Sequence, residues 1–197
     1  LMMGEAYSLE HHVQEGVENE MEAAIMDKTL DGIANYNIAR YYCMSRDKVL
    51  MMKHLNIAKH KGYFKPIKNE SVGTIQSTNT ITQNDISVRL ENSGDVKLDL
   101  TTQQFFGSVH GNGSIYLTET TKDLMSDYTG TNYLYASDLT IQSYVYLHSV
   151  SIGHAYIKAP ENGLMDILID RDGDIHYTGN PNTIHLTKTG KGELIRD

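Results

Sequence analysis

Apolar and polar positions follow two different periods along this chain. Residues 15–64 carry apolar side chains mostly at three- and four-residue steps, which is the spacing of helices that bury one face. The pattern predicts helices over about 15–29, 31–44 and 46–61. We therefore predict an α-helical module over residues 1–68, arranged as a helical hairpin or bundle.

The helical period stops close to residue 68. Residues 69–85 are rich in Ser, Thr, Asn and Gln with little apolar content, which predicts a polar linker or an irregular first strand. From Ile86 onward, short runs of alternating apolar and polar residues are interrupted by glycines. That pattern is typical of β-strands and predicts a separate β domain over residues 86–197.

Turn residues recur in the β region at a nearly constant spacing. They follow one another by 19, 19, 21, 20 and 19 residues, at positions Gly94, Gly113, Asn132, Gly153, Gly173 and Gly192. A fixed period of this length indicates a repeat architecture. Because Gly and Asn both tolerate positive φ, we predict one tight structural turn per coil at these positions.

Apolar columns stand at fixed distances from these turns. The first column, two residues after each turn, is Val96, Ile115, Leu134, Ala155, Ile175 and Leu194. The second, two residues further on, is Leu98, Leu117, Ala136, Ile157, Tyr177 and Arg196. The third, six residues before the turn, is Val88, Leu147, Ile167 and Leu186, with interruptions at Gly107 and Ser126.

Alternation at period two places the first two columns on one sheet face. Coils that stack like on like around a shared interior satisfy this pattern. The fold class predicted for the whole chain is mainly β with a helical N-terminal part: a β-solenoid of about six coils of 19–21 residues, preceded by the helical module. A sandwich or barrel of hairpins is the competing fold.

The last coils resemble a known family. Residues 170–181 read Asp-Arg-Asp-Gly-Asp-Ile-His-Tyr-Thr-Gly-Asn-Pro, and Thr-Lys-Thr-Gly-Lys-Gly-Glu-Leu follows at 187–194. These residues resemble the closing motif of the auto-transporter adhesin, head GIN domain family, and the resemblance covers about residues 86–197. It implies a cell-envelope or secreted domain of Bacteroidetes-like bacteria, with no established catalytic residues to transfer.

A weaker resemblance lies in the helical module. Residues 21–66 resemble the Sel-type tetratricopeptide-like repeats, in which small residues let two helices pack, a Tyr pair fills the groove and a Gly ends the second helix. The match covers about one and a half units. Because such repeats usually need three or more units to bury their faces, a plain helical hairpin or bundle remains the alternative.

Charge and composition restrict the partners. The formal charge of −8 and the absence of a basic patch argue against nucleic acid, which is bound by clustered Lys and Arg. The single cysteine, Cys43, excludes an internal disulfide framework. No stretch approaches the roughly 18 consecutive apolar residues of a membrane-spanning helix, and the first residues lack the pattern of a secretion signal. We expect a chain that does not span a membrane.

Candidate chemistry is sparse. Asp170, Asp172 and Asp174 alternate as a Ca²⁺ loop requires, but Gly173 and Pro181 occupy the wrong positions, so we favour an acidic turn and expect no metal. The histidines of the β region show no zinc-ligand spacing within one segment. Neither a nucleophile elbow nor a phosphate-binding loop is present. We therefore predict no catalytic residues and no cofactor.

Tyrosine is the more suggestive residue type. The chain has 13 Tyr, 3 Phe and no Trp. Alternation with the first apolar column predicts outward side chains for Tyr116, Tyr133, Tyr135 and Tyr156. Tyr combines a flat apolar ring with a hydroxyl, which suits a protein or glycan surface. The alternative role is a cross-strand ladder that stabilises the sheet itself.

Three functional hypotheses follow. The first is a non-catalytic cell-envelope or secreted adhesin-like scaffold that binds a protein or glycan surface. The second is a structural subunit of a larger assembly, such as a surface layer or virion, in which copies of the chain associate. The third is a polysaccharide-acting β-helix enzyme, which requires acids and bases clustered in a cleft, and the sequence does not reveal such a cluster.

Overall fold

The computed structural model describes residues 14–15, 17–21, 31–44, 48–60 and 67–197. The chain divides into two units, residues 1–65 and residues 66–197. This division falls close to the predicted end of the helical module at residue 68. Much of the predicted helix over 15–29 lies outside the described residues, which are helical at 14–15 and 17–21.

Two longer helices are described in the N-terminal unit, α1 (Asp31–Met44) and α2 (Lys48–His60). They contact each other: the Tyr42 ring stacks on His54 at 5.6 Å between centroids, and His54 Nδ1 lies 2.8 Å from Asn35 Oδ1. Because residues 45–47 lie outside the described part, the hairpin arrangement stays a prediction. Among the described residues, no helix has the length and apolar character needed to cross a membrane.

The second unit is a β-solenoid whose strand pairings are all parallel. Its strands are β1 (Ile67–Asn69), β2 (Ile75–Gln76), β3 (Ile81–Leu90), β4 (Val96–Gly111), β5 (Ile115–Gly130), β6 (Leu134–Ala136), β7 (Leu139–Ser151), β8 (Ala155–Lys158), β9 (Leu164–Ile169), β10 (Ile175–Thr178), β11 (Thr183–Lys188) and β12 (Leu194–Arg196). Parallel pairing excludes the sandwich or barrel of hairpins, because hairpin strands pair antiparallel.

Each coil has two strand segments. The first segment follows the glycine turn and comprises β2, the first part of β4 and β5, then β6, β8, β10 and β12. The second comprises β1, β3, the later part of β4 and β5, then β7, β9 and β11. The first segments pair in register along one column, Ile75, Val96, Ile115, Leu134, Ala155, Ile175 and Leu194. The solenoid therefore has seven coils, one more than predicted.

The additional coil lies at the start. Residues 69–85, for which we predicted a linker or an irregular first strand, contain β2 and the first part of β3. β1 pairs with β3, and β2 pairs with β4, in the same sheet. The β region therefore begins at Ile67 and not at Ile86. Its first coil is hard to recognise because Ile67, Ile75 and Ile81 are isolated among polar residues.

The interior explains one of the two interruptions of the third apolar column, the one at Gly107. Gly107 and Ser126 lie in register between Val88 and Leu147. A Cβ added at Gly107 would lie 2.5 Å from Ser126 Oγ and 3.3 Å from Cε1 of Phe105, a fully buried ring. The space that a large apolar residue would use at Gly107 is thus already filled by these two neighbours.

The recurring glycines are needed for close stacking and not for positive φ. A Cβ at Gly94, Gly113, Gly153, Gly173 or Gly192 would lie 1.9–2.2 Å from a backbone oxygen of the preceding coil. The glycines with positive φ are instead Gly111, Gly130 and Gly179. The predicted reason for the spacing was therefore wrong, although the positions do recur on successive coils and Gly73 adds one more.

Asn132 replaces glycine in this column and is fully buried. Its Nδ2 donates hydrogen bonds to the carbonyl oxygens of Thr129 at 2.5 Å and Gly111 at 3.2 Å. The side chain amide therefore links two coils at this position.

Candidate functional site

The outer side of the first segment carries a continuous stack of rings. In-register pairing sets Lys97, Tyr116, Tyr135, Tyr156 and His176 above one another. Tyr116 stacks on Tyr135 at 4.7 Å with planes 13° apart, and Tyr135 on Tyr156 at 5.5 Å and 4°. His176 continues the stack on Tyr156 at 5.0 Å and 18°, and Lys97 Nζ covers the other end, 4.9 Å from the Tyr116 centroid.

Tyr133 joins this stack from the side. Its ring lies nearly parallel to that of Tyr135, with centroids 5.9 Å apart and planes 11° apart. The structure thus brings the four tyrosines singled out in the sequence into one cluster, and each of them is half-buried. We name the cluster of Tyr116, Tyr133, Tyr135 and Tyr156 the tyrosine ladder.

Stacking determines what the tyrosine ladder presents to solvent. Tyr116 covers one face of the Tyr135 ring and Tyr156 covers the other. The ring edges and hydroxyls therefore remain for contact with a partner. Burial raises the pKa of Tyr135, and the neighbouring hydroxyls, that of Tyr116 first, add to the effect. The Tyr135 hydroxyl is therefore protonated at neutral pH and can both donate and accept a hydrogen bond.

Potential metal ligands adjoin one end of the ladder. His154, Asp174 and His176 each offer a ligand atom within 4.8 Å of the others, and all three residues are half-buried. Sequence reasoning missed this group because its members belong to two coils. The signal was the coil period: His154 and Asp174 are 20 residues apart, so they occupy equivalent positions on successive coils.

The three aspartates considered as Ca²⁺ ligands lie in different surroundings. Asp170 Oδ2 lies 2.8 Å from His148 Nε2, and Thr189 Oγ1 donates to its Oδ1 at 2.6 Å. Asp174 Oδ1 instead accepts the backbone N–H of Glu193 at 2.8 Å. Asp172 is exposed.

The outer side of the second segment holds a second cluster, which we name the acid–histidine clasp: Asp127, His148, Asp170 and Thr189. His148 bridges two carboxylates on different coils, with Nδ1 3.2 Å from Asp127 Oδ1 and Nε2 2.8 Å from Asp170 Oδ2. These contacts, first that with Asp127 and then that with Asp170, raise the pKa of His148 to about 9. His148 is therefore a cation at neutral pH.

A buried carboxylate lies beside the clasp. Asp166 is 1% exposed, the Tyr144 hydroxyl donates to its Oδ2 at 2.8 Å, and its Oδ1 lies 2.9 Å from His185 Nδ1. Burial raises the pKa of Tyr146, and Asp127, Asp166 and Asp170 raise it further. The histidines of the β region are scattered in the sequence, and folding brings four of them, His148, His154, His176 and His185, next to carboxylates.

Comparison with known proteins gives a family. Residues 59–181 match the family described as "Putative auto-transporter adhesin, head GIN domain". The matched range starts before the region of resemblance seen in the sequence and ends at the proline of the quoted motif. No curated protein matches the chain.

Proposed function

The chain belongs to the head GIN domain family of auto-transporter adhesins, and from this premise we propose that it is a non-catalytic, adhesin-like binding scaffold. In this proposal the protein acts at the cell surface or after secretion. The tyrosine ladder is its contact surface, and a protein surface is its partner. The single observation that carries the proposal is the stack of half-buried rings whose edges and hydroxyls point outward.

Ring stacking favours a protein over a glycan as the partner. Sugars bind aromatic side chains mainly through the open face of a ring, whereas Tyr135 has both faces covered by neighbouring rings. Edges and hydroxyls suit the mixture of apolar contacts and hydrogen bonds at protein interfaces, where Tyr is enriched. A glycan partner is then the competing outcome of the binding experiment.

Rigidity supports the same role. Each ring of the ladder has at least one stacked neighbour, and Tyr116, Tyr135 and Tyr156 also lie on paired strands. Side chains that are already ordered lose less conformational entropy on binding, which costs about 0.5–1.5 kcal/mol for each immobilised flexible side chain. A prearranged row of tyrosines is therefore an economical contact surface.

The clustered acids and bases of the second segment support a structural role in this proposal. His148 is held by two carboxylates, and both oxygens of Asp166 already have partners. A general acid or base must reach a substrate proton, whereas these groups are engaged with one another across coils. We therefore assign them to holding coils together and not to polysaccharide cleavage.

A structural subunit is the second candidate function, and the last coil favours it. β11 and β12 each pair with one strand only within residues 67–197, and Ile184 and Leu186 on β11 are exposed. A strand edge with apolar neighbours can pair with a further strand, and in this second candidate function a second copy of the chain supplies it. Sedimentation over a wide concentration range separates the two candidates, because the assembly role requires self-association and the adhesin role does not.

The binding experiment uses the full chain and an array of matrix proteins and glycans. Tyr133 and Tyr135 are replaced together by Phe in one variant and by Ser in another. The Phe variant keeps the stack and removes the hydroxyls, so we expect unchanged melting and at least tenfold weaker binding to the captured protein. The Ser variant should lose binding as well as some stability.

The result that contradicts the proposal is equally definite. If both variants bind every captured partner as tightly as the wild type while the Ser variant melts early, the tyrosines form a stabilising ladder and the contact surface lies elsewhere. Capture of glycans alone, with loss in both variants, would retain the ladder as the site and reject the protein partner.

A further inference from the structure

We propose that His154, Asp174 and His176 form a binding site for a divalent transition-metal ion of the zinc class. The site adjoins the tyrosine ladder but does not depend on the ladder's proposed role. It rests on the convergence of two imidazoles and one carboxylate from two neighbouring coils.

The coil register creates the site. His154 directly precedes β8, Asp174 directly precedes β10, and β8 and β10 pair in register from Ala155 and Ile175 onward. His154 and Asp174 therefore stand at equivalent positions on adjacent coils. His176 is the second residue of β10, so it points to the same side of the sheet as Asp174. The parallel sheet thus fixes the backbone of all three ligands.

Two of the three ligands are held by further hydrogen bonds that leave one donor atom available. His176 Nδ1 lies 3.1 Å from Asp197 Oδ1, which leaves Nε2 for a metal. Asp174 Oδ1 accepts the Glu193 N–H at 2.8 Å, which leaves Oδ2. A ligating histidine typically donates its other ring N–H to a carboxylate, which fixes the ring and raises its basicity.

The third ligand, His154, must give up a hydrogen bond in order to bind the metal. Its Nδ1 accepts the Asp174 N–H at 2.9 Å and lies 3.6 Å from Asp174 Oδ2. Since a neutral imidazole has a single lone-pair nitrogen, metal binding through this atom replaces the backbone hydrogen bond. Zinc bonds of about 2.0–2.1 Å place tetrahedral ligands roughly 3.3 Å apart, so the half-exposed side chains must close slightly from their separation of up to 4.8 Å.

The donor set selects the ion. Two imidazole nitrogens with one carboxylate suit Zn²⁺ and neighbouring first-row ions, whereas Ca²⁺ and Mg²⁺ prefer sites made of oxygens alone. Three protein ligands leave one tetrahedral position open for water or for a group of a bound partner. The ion would therefore add a coordination point to the outer side of the first segment.

Isothermal titration of the full chain with Zn²⁺ tests the proposal. Because the adjacent His11 and His12 can bind metals by themselves, they are replaced by Ala in every variant, including the reference. We expect one Zn²⁺ per reference chain and at least tenfold weaker binding after His154→Ala or His176→Ala. His110→Ala, which changes an exposed histidine outside the site, should bind as the reference does.

Two further variants are needed. One controls for loss of folding, and the other tests the hydrogen bond that orients His176. Asp174→Asn keeps an oxygen to accept the Glu193 N–H, so its metal-free melting temperature should be unchanged while the rise produced by Zn²⁺ disappears. Asp197→Asn removes the carboxylate beside His176 and should weaken binding by roughly 10–100-fold. Equal affinity in the reference, His154→Ala and His176→Ala would overturn the proposal, as would Ca²⁺ displacing Zn²⁺ at equal concentration.

Discussion

The two outer sides of the solenoid differ in which side chains they stack on successive coils. On the first segment, like residues stack on like, and Tyr116, Tyr135 and Tyr156 form a nearly parallel pile. On the second segment, opposite charges meet, and His148 contacts both Asp127 and Asp170. In-register parallel pairing sets the three tyrosines above one another and sets His148 beside Asp127. Asp170 reaches His148 diagonally, because the strand partner of His148 is Leu168.

The difference is the reason why we propose the first-segment side as the contact surface. Neutral rings can be repeated on successive coils because stacking of their faces is favourable. The stacking does not use the ring edges or the hydroxyls. Equal charges cannot be repeated at strand spacing, so the acid–histidine clasp pairs opposite charges and uses its polar atoms internally. The tyrosine ladder therefore keeps its hydroxyls available, whereas the acid–histidine clasp uses its polar atoms within the protein.

The largest expected effect tests whether the two outer sides of the solenoid depend on the same apolar core. Ile175 is 0% exposed in the core beneath the ladder, so Ile175→Asp buries a charge without a partner and should cost about 3–5 kcal/mol of unfolding free energy. Chemical denaturation measures the loss. Ile152→Asp is the matched control, since Ile152 is 45% exposed and should tolerate the same change. Equal stability of the two variants would mean that the first-segment side does not rest on this interior.

A smaller expected effect is the pH-dependent stabilisation that His148 contributes in the acid–histidine clasp. The folded pKa of His148 is about 9, above its ordinary value of 6.5, so folding favours the protonated form. The resulting stabilisation is fully present below about pH 6.5 and is lost as the pH rises through about 9. Allowing for partial exposure, it amounts to on the order of 2 kcal/mol.

Urea unfolding of the wild type and His148→Gln from about pH 6 to about pH 10 measures this stabilisation. The difference between the two proteins should shrink across that range. His110→Gln provides the control, because His110 contacts the hydroxyls of Ser108 and Thr129 and no carboxylate in those bonds. A difference that stays constant with pH would show that His148 contributes no charge-dependent stabilisation.

The smallest effect concerns repetition within the ladder. Tyr135 stacks with three tyrosines, Tyr116, Tyr133 and Tyr156, whereas Tyr116 stacks with Tyr135 and with the Lys97 ammonium. Aromatic pairs contribute about 0.5–1.5 kcal/mol each beyond buried area. Tyr135→Leu should therefore destabilise the protein by about 1 kcal/mol more than Tyr116→Leu in thermal unfolding. If the two losses are the same, the rings act independently and do not form a cooperative stack.

The sequence predicted the repeat because its first apolar column has no interruption. Val96, Ile115 and Leu134 stand at steps of 19 residues, and the structure pairs them in register, which confirms the solenoid. The reason for the glycines was not predictable from composition alone. Gly113 is required by a carbonyl oxygen of the preceding coil, and that contact exists only after the coils are stacked.

The candidate sites depended on the same information. The outward position of the tyrosines follows from period two, but their stacking requires the register between coils. His154 and Asp174 are distant in sequence and become neighbours only when the local step of 20 residues is applied. The first coil was missed for another reason, because its few apolar residues, Ile67, Ile75 and Ile81, lie in a polar segment that resembles a linker.

The glycine column has a consequence for how such a chain can change length in evolution. A Cβ at Gly94, Gly113 or Gly173 would lie about 2.1 Å from a backbone oxygen of the preceding coil, so a gene duplication of one whole coil, 19–21 codons, keeps a glycine opposite that oxygen. Loss of a single codon shifts glycine out of this column and places a side chain against that oxygen. We therefore expect changes of length in this region to occur in steps of one coil.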